Sequence, residues 1–201
     1  MGRKRYDQAY FDHWYRPARG RPGAKGILAR KVALAVSMCE YYLGRPLRSV
    51  LDIGCGEGAW RAPLLALRPT LHYLGLDSSE YAVARFGRRR NLRLVEFSQL
   101  EHLRLDRPYD LIVCADVVHY LDARTLRRGL SGFAELGHGM AWIEAFCRGD
   151  QAEGDTDGWH ARSATQYRKL FNEAGLLGVG SHAWLLPPLH GHAAALERIV
   201  D

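Results

Sequence analysis

Residues 50–60 have the sequence Val50-Leu51-Asp52-Ile53-Gly54-Cys55-Gly56-Glu57-Gly58-Ala59-Trp60. Its apolar beginning predicts a short buried strand, three glycines follow at alternate positions, and residues 59–67 have a helical pattern. Glycine permits positive φ and has no Cβ, so a ligand can approach the bare backbone. The helix that follows directs its free N–H groups at the turn. We therefore expect a cofactor to bind at this strand–turn–helix unit.

Two classes of cofactor fit such a turn. Gly54, Gly56 and Ala59 satisfy the G-x-G-x-x-A spacing of dinucleotide-binding domains. Asp52 favours a different cofactor, because a carboxylate in front of the turn suits a cationic group better than a pyrophosphate. A glycine-rich turn without any ligand is the third alternative, although three alternate glycines weaken local structure without an evident structural gain.

The composition indicates a soluble globular protein with one domain. The chain has 201 residues, of which 47% are hydrophobic and 25% charged. No apolar run approaches the roughly 20 residues that span a bilayer, and the basic residues at the start precede a polar segment, which argues against a secretory signal. The four cysteines are scattered and form no C-x-x-C pair, so we expect reduced thiols, no metal site and a cytoplasmic location.

The net charge of +6 leaves nucleic acid or an acidic substrate open as a partner. However, the arginine clusters are short, as in Arg88–Arg90, and no basic stripe is interleaved with aromatic residues. Solvated surface arginines are therefore the simpler interpretation, and a nucleic-acid partner is not expected.

The pattern Asp52-x-Gly54-x-Gly56-x-Gly58 resembles motif I of the class I methyltransferases that depend on S-adenosylmethionine (SAM). SAM carries a sulfonium and an α-ammonium, which makes an acid at residue 52 electrostatically reasonable. The resemblance implies an α/β fold of Rossmann-like type, with a seven-stranded, mostly parallel sheet in the order 3-2-1-4-5-7-6. Helices cover both faces, and an antiparallel hairpin ends the chain.

The residues before the first strand are expected to form an N-terminal extension. Residues 1–20 are aromatic and basic, residues 16–23 predict a loop, and residues 24–43 predict a helix that Gly44 and Pro46 end. We assign residues 1–46 to a helical extension that is a possible lid and residues 47–201 to the cofactor-binding core of a single domain. The alternative is a plain helix that covers one edge of the sheet.

Two loops after the next strands are expected to contact the cofactor. Asp77 ends the predicted second strand, 19 residues beyond Gly58, which is close to the spacing of a carboxylate that binds a ribose diol. Capping of the helix over residues 79–87 is the structural alternative. By the resemblance, the loop of Ser98, Gln99 and Leu100 contacts the adenine, and the Gln99 amide oxygen replaces the acid that the family commonly has.

The fourth predicted strand, residues 108–114, leads into Ala115-Asp116-Val117. This segment resembles motif IV and its sequel in small-molecule methyltransferases, where the chain passes beside the methyl group. His119 is the candidate catalytic base, because the ordinary pKa of histidine lies near 6.5, and a half-buried histidine at a helix edge is the alternative. Tyr120 could orient the acceptor.

The rest of the chain predicts a helix over residues 123–136 that Asp122 caps, a fifth strand, a long acidic loop, and two closing strands over residues 176–186 and 193–200. Loops as long as residues 148–162 are often functional. We expect His160 or Arg162 to reach the acceptor from this loop, and Trp159 to cover the site together with Trp14 and Tyr15.

These features predict SAM-dependent methyl transfer to a small-molecule acceptor. An NAD-dependent oxidoreductase, an RNA or protein methyltransferase, and a SAM-binding protein without catalysis are the alternatives. The residues expected to hold the cofactor are Asp52, Gly54, Cys55, Gly56, Glu57, Gly58, Asp77, Ser78, Ser98, Gln99, Leu100, Ala115, Asp116 and Val117. The residues expected around the acceptor are Trp14, Tyr15, Tyr120, Trp159, His160 and Arg162.

Overall fold

The computed structural model describes residues 4–16, 22–151 and 155–199. Seven strands form one sheet in the order β3-β2-β1-β4-β5-β7-β6. Their bounds are β1 Ser49–Ile53, β2 His72–Asp77, β3 Leu92–Leu94, β4 Tyr109–Ala115, β5 Gly137–Glu144, β6 Leu177–Gly180 and β7 Ala183–Leu185. The first five strands pair in parallel, and β7 pairs antiparallel with both β5 and β6. The expected fold class and strand order are confirmed.

Helices connect the parallel strands. The α-helices are α1 Gln8–Tyr10, α2 Ala24–Leu43, α3 Arg61–Leu67, α4 Glu80–Arg90, α5 Ala123–Leu130, α6 Phe133–Leu136 and α7 Ala164–Glu173. A π-helical turn, Phe11–Tyr15, continues α1. Short 3-10 turns occupy Phe97–Glu101, Val118–Tyr120, Pro187–His192 and Ala195–Glu197. None of the helices in the described residues combines the length and apolar character needed to cross a membrane.

The sheet separates two hydrophobic layers, because successive side chains of a strand point to opposite faces. Leu51 and Ile53 of β1 belong to the layer that contains residues of α5, α6 and α7. Val50 belongs to the opposite layer, which contains residues of α2 and α3 and is bordered by apolar residues of α4. All five residues of β1 are buried, as expected for a central parallel strand.

The two closing strands were predicted at the wrong residues. Residues 176–186 do not form one strand but fold back on themselves as β6 and β7, with Ser181 and His182 at φ 47° and 67° in the turn. Serine and histidine are not typical of positions with positive φ, so the sequence pattern did not predict a turn at these two residues. The segment predicted as the last strand, as far as it is described, runs through the 3-10 turn Ala195–Glu197, and Ile199 N donates to Gly178 O at 2.8 Å.

Two further predicted elements are shorter than expected. The helix predicted over residues 123–136 is interrupted at Ser131–Gly132, where Gly132 packs so closely on the Leu100 backbone that a Cβ would overlap it. The third strand, which the apolar pattern of the sequence predicts over residues 91–97, covers only Leu92–Leu94, because the chain turns into the 3-10 helix at Phe97. The predicted loop over residues 16–23 lies largely outside the described residues.

Candidate active site

The glycine turn connects β1 to α3 at the carboxyl end of the sheet. Gly54, Gly56 and Gly58 have φ of 69°, 54° and 75°, the left-handed region that side chains rarely adopt. Gly54 N and Cys55 N donate to Leu76 O at 2.7 and 3.1 Å, which fixes the turn to β2. A Cβ on Gly54 would overlap the Val117 side chain. The turn is therefore a cradle of bare backbone in which positive φ favours glycine at all three positions, and at Gly54 there is also no room for a side chain.

Asp77 ends β2 beside this cradle, as its position in the sequence predicts. Its carboxylate accepts from Gly56 N at 2.6 Å and from Ser79 N at 2.8 Å, and the residue is 8% exposed. Burial raises the pKa of Asp77, and the hydrogen bonds from the Ser79, Gly56 and Ser78 backbone oppose the rise. Ser79, not Asp77, caps α4 by accepting from Ala82 N at 3.0 Å. The carboxylate thus joins the glycine turn to the cavity edge.

The loop after β3 presents different residues from those that the resemblance implies. Gln99 turns its amide oxygen to its own turn and accepts from Glu96 N at 2.7 Å. The cavity wall here consists of Val95, Glu96, Phe97 and Leu100, and neither Ser98 nor Gln99 belongs to it. Gln99 therefore serves a capping box, and Leu100 is the predicted residue of this loop that reaches the cavity.

The end of β4 lies opposite the glycine turn. Asp116 adopts φ 60°, unusual for a residue with a side chain, and its amide donates to Glu144 O at 3.1 Å. Burial raises the pKa of Asp116 to about 6, with a further contribution from Glu144 and an opposing one from Lys31. Asp116 and Val117 line the main cavity, and Ala115 and Asp116 line a smaller one beside it.

The smaller cavity, of about 130 Å³, contains Asp52. Asp52 is 2% exposed and accepts from the Tyr73 hydroxyl at 2.7 Å. Burial raises the pKa of Asp52 to about 7, the Tyr73 hydrogen bond opposes the rise, and the negative charge of Asp77 adds to it. Lys31, which also lines this cavity, pairs with Glu144 at 2.6 Å. Buried carboxylates with raised pKa values mark a place that would gain from a bound cation.

The main cavity has a volume of about 1030 Å³, at the upper end of the range of small-molecule sites. Gly54, Gly56, Asp77, Ser78 and Asp116 line one side of it. Residues of the N-terminal segment line the other side: Lys4, Arg5, Tyr6, Asp7, Tyr10, Phe11 and Tyr15. The cavity is large enough for a nucleoside cofactor together with a small acceptor.

Phe11 and Tyr15 bring the N-terminal segment onto the glycine turn. A Cβ on Gly56 would lie 3.2 Å from the Phe11 ring and 3.9 Å from the Tyr15 ring, and Phe11 is 2% exposed. Tyr15 borders both cavities. Trp14, in contrast, is 37% exposed and packs edge-on against His13, with ring centroids 4.6 Å apart. Of the two predicted aromatic residues, Tyr15 faces the site and Trp14 faces away.

His119 and Trp159 form an aromatic cluster behind the cavity wall. The His119 ring lies 4.4 Å from Tyr120 and 4.7 Å from Trp159 between ring centroids, and Trp159 stacks on Phe146 at 5.4 Å. Burial lowers the pKa of His119 to about 4, with a further contribution from Lys4 and an opposing one from Asp155. Its side chain is 2% exposed and is not part of the cavity wall.

The other residues predicted around the acceptor also fall into two groups, those that line the main cavity and those that do not. Tyr120 and His160 line the main cavity. Arg162 does not; its guanidinium donates to Leu121 O at 2.6 Å and to Val118 O at 3.4 Å, so it ties the long loop to the turn after β4. Among the predicted cofactor residues, Cys55 lines the smaller cavity, while Glu57 and Gly58 belong to neither wall.

Sequence reasoning missed several residues of the site. Lys4 lines the cavity together with Tyr6 and Tyr10, and it forms an ion pair with Asp155. The aromatic pattern of residues 6–15 gave a signal for the tyrosines, but only tertiary contact shows which of them face inward. Lys31 had no signal at all, because its position on the cavity depends on how α2 crosses the sheet.

The residues fit SAM on two observations of the structure. The three glycines at positive φ leave a cradle of bare backbone, and a Cβ at Gly54 would overlap the Val117 side chain. The buried Asp52 and Asp116 carboxyls have raised pKa values that a neighbouring cation would relieve.

Comparisons with known proteins agree with this geometry. A family model described as "Methyltransferase domain" matches residues 51–137. The magnesium protoporphyrin IX methyltransferase of Synechocystis PCC 6803, solved with bound S-adenosylhomocysteine (SAH), is similar with a TM-score of 0.62 and 18% identity, over 90% of this chain and 94% of that chain. DesVI of Streptomyces venezuelae is similar with a TM-score of 0.65 and 15% identity, over 89% of this chain and 97% of that one.

A third similar structure has a small molecule at its site. It is the O-methyltransferase NcsB1 from neocarzinostatin biosynthesis, in complex with SAH and 1,4-dihydroxy-2-naphthoic acid, with a TM-score of 0.54 and 19% identity, over 80% of this chain and 55% of that chain. No curated protein sequence matches the chain. At these identities the solved structures establish the fold alone. The family model identifies a methyltransferase domain over residues 51–137.

Proposed function

We propose that this chain, a class I SAM-dependent methyltransferase, transfers the methyl group of SAM to a small-molecule acceptor. The observation that carries the proposal is the main cavity of about 1030 Å³, which reaches from the glycine turn to Tyr120 and His160 and is also lined by the N-terminal segment. A concave cavity of this size suits a small acceptor better than a duplex or a folded protein. Two of the similar structures are associated with small molecules: one is named for magnesium protoporphyrin IX, and the other is in complex with 1,4-dihydroxy-2-naphthoic acid.

The cofactor would be held by residues from the carboxyl ends of three strands. The Gly54–Gly58 turn offers bare backbone, Asp77 offers a carboxylate for the ribose hydroxyls, and Leu100 offers an apolar contact for the base. Asp52 and Asp116, in the wall of the smaller cavity, suit the cationic groups of the aminoacyl part. This cavity also contains Lys31, whose ammonium suits the carboxylate of the same part.

When bound, SAM supplies a methyl group on a sulfonium that is already activated for in-line displacement. The contribution of the chain is to align the acceptor and to exclude water. Phe11 and Tyr15 cover the glycine turn from the N-terminal side, and Tyr120 covers the end of β4. These aromatic side chains line the cavity, which supports a lid role for the N-terminal segment.

A base is required only when the acceptor atom arrives protonated. His119 remains the predicted base, but its pKa of about 4 and its position behind the wall make it a weak one. His160 lines the cavity and is held by its own amide, which donates to His119 O at 2.8 Å. The variants His119→Asn and His160→Asn distinguish the two candidates. Replacement of the residue that acts as the base should change the acid limb of the kcat profile against pH, whereas replacement of the other histidine should not.

Radiolabelled SAM offered with pools of metabolites, of transfer RNA and of cell protein tests the proposal. We expect label in the small-molecule pool, and none from Asp77→Ala at the same SAM concentration. Label in RNA or protein alone would overturn the small-molecule assignment and leave the methyltransferase intact. SAM binding without turnover on any pool would support a binding protein.

We further propose that the protein acts in the cytoplasm. Cys39, Cys55 and Cys114 are buried and unpaired, and Cys147 is also a free thiol. Free thiols are typical of reducing compartments. Fractionation of cells that express a tagged chain tests this location.

A further inference from the structure

The ammonium of Lys4 occupies a cage of three tyrosines at the acceptor side of the cavity. Its Nζ lies 4.3 Å from the Tyr120 ring centroid, 5.5 Å from that of Tyr10 and 5.9 Å from that of Tyr6. Such distances are those of cation–π contacts, which recognise ammonium groups in many sites. The cage therefore has the geometry of a cation-binding site.

A buried carboxylate completes the cage. Asp155 forms an ion pair with Lys4, and its side chain is 6% exposed. Burial works to raise the pKa of Asp155, but the Lys4 hydrogen bond, the Asp157 amide and the Lys4 charge hold it below the ordinary value. Lys4 also donates to Asp157 O at 2.8 Å. The carboxylate is thus ionised at neutral pH and is compensated by the ammonium beside it.

The cage is held together without Lys4. The Tyr120 hydroxyl donates to Asp155 O at 2.7 Å, and the Tyr10 hydroxyl forms a hydrogen bond with the Asp155 carboxylate. Tyr6 packs edge-on against Tyr10, with ring centroids 5.0 Å apart. These contacts come from residues of the N-terminal segment, of the turn after β4 and of the long loop. Removal of the Lys4 charge would therefore leave a preformed site for another cation.

The charge of the cavity wall favours a cationic occupant. Two bases line the main cavity, Lys4 and Arg5. Six acids line it: Asp7, Asp77, Glu80, Glu96, Asp116 and Asp122. This excess of acids occurs in a chain whose net charge is +6. The cavity is therefore electrostatically opposite to the rest of the surface.

We propose that the acceptor is an amine whose ammonium group binds in the cage of Tyr6, Tyr10, Tyr120 and Asp155 in place of the Lys4 ammonium, and that the methyl group is transferred to another atom of the acceptor. The inference rests on the proposed function, because Tyr120 belongs to the same cavity as the glycine turn. Lys4 is then an internal competitor, which keeps Asp155 compensated until an amine arrives. The cage positions the acceptor and takes no part in bond making.

Calorimetry with a matched pair of probes tests the proposal. The probes are the phenethylammonium ion and its uncharged analogue phenethyl alcohol, each titrated into SAH-saturated protein. Lys4→Met removes the charge and keeps the length of the side chain. We expect Lys4→Met to bind the ammonium probe at least tenfold more tightly than the unmodified chain, and to bind the alcohol unchanged.

Arg5→Met is the matched control, because Arg5 lines the same cavity and is exposed. It should leave the affinity for both probes within twofold. Asp155→Asn and Tyr120→Leu, each combined with Lys4→Met, should abolish the gain. A second comparison keeps Lys4. At high concentrations of the ammonium probe, the single variant Tyr10→Leu should bind the probe more weakly than the unmodified chain does.

Two outcomes would overturn the proposal. If Lys4→Met gained the same affinity for the ammonium probe and for the alcohol, the substitution would only have opened apolar space. If Lys4→Met bound the ammonium probe more weakly than the unmodified chain, Lys4 would be a structural residue that holds the N-terminal segment in place. The SAH titration that precedes each experiment reports the cofactor site separately. Loss of SAH binding would count against the proposed function, whereas normal SAH binding without cation binding would count against the amine alone.

Discussion

Asp52→Asn should make the protein without cofactor more stable at neutral and alkaline pH, and should weaken SAM binding. Asp52 is 2% exposed, and burial raises its pKa from 3.8 to about 7. The folded state therefore holds a proton on this carboxyl that the unfolded chain releases. Such a group stabilises the fold fully below its unfolded pKa, and the stabilisation is lost as pH rises through the folded pKa.

The size of the effect follows from the two pKa values. At about 1.4 kcal/mol for each pH unit, the interval from 3.8 to about 7 corresponds to about 4 kcal/mol of unfolding free energy. Asparagine keeps an oxygen that accepts from the Tyr73 hydroxyl. Its buried amino group costs about 1–3 kcal/mol when it lacks a partner, but this cost does not change with pH.

Urea unfolding of both chains from about pH 4 to about pH 8 measures the difference. The free energy of unfolding of Asp52→Asn minus that of the unmodified chain should rise by about 4 kcal/mol over this interval. Asp106→Asn, at an exposed aspartate, is the control and should give a flat difference. A difference for Asp52→Asn that stays flat within about 1 kcal/mol would refute the burial argument.

The variant Asp52→Asn also tests whether the charge of Asp52 contributes to SAM binding. Because a bound cation favours the ionised carboxyl, SAM affinity of the unmodified chain should fall as pH is lowered through about 7 and then about 6, the pKa values of Asp52 and Asp116. Asp52→Asn should lose the upper part of this dependence. Calorimetry with SAM at several pH values checks both curves, and identical curves would assign Asp52 a structural role alone.

Asp110→Ala removes a buried carboxylate at the opposite end of the sheet and should cost about 3–5 kcal/mol by urea unfolding at neutral pH. Because the pKa of Asp110 lies below its ordinary 3.8, this cost should shrink only as pH falls below about 4; a constant cost would contradict the ion-pair explanation. Gly54→Ala should weaken SAM binding at least tenfold in calorimetry, since its Cβ has no room. Phe11→Ala should also weaken SAM binding, whereas the exposed Trp14→Ala should not; equal effects would exclude a specific lid contact at Gly56.

The order of the elements could be predicted from the sequence because each parallel unit has strong local signals. The helix Ala24–Leu43 has the predicted bounds, since Gly44 at φ 66° ends it and Pro46 follows. Asp77 could be placed at the cavity because the carboxyl ends of parallel strands meet at one edge. These predictions required only the spacing of the apolar residues and the residue types at the end of each helix or strand.

The closing hairpin and the acceptor side could not be predicted in this way. Ser181 and His182 make a tight turn that their residue types do not announce. The contact between Lys4 and Asp157 joins residues 153 positions apart, and no local pattern encodes it. Likewise, His119 has the residue type of a base, but its position among Tyr120, Phe146 and Trp159 depends on tertiary packing.

Net charge and site charge have opposite signs in this protein, and the site charge decides what binds. Several arginines belong to helix ends that face solvent; Arg88–Arg90, for example, lie in the last turn of α4, where cations complement the helix dipole. The acids converge on the cavity because it is bordered by the carboxyl ends of β2 and β4 and by loops that carry Asp7, Glu96 and Asp122. A polyanion attracted by the surface would meet a repulsive cavity, whereas an amine is repelled weakly at long range and attracted at the site. Raised salt should therefore screen the long-range repulsion of an amine and weaken the binding of nucleic acid, so a salt titration separates the two partners.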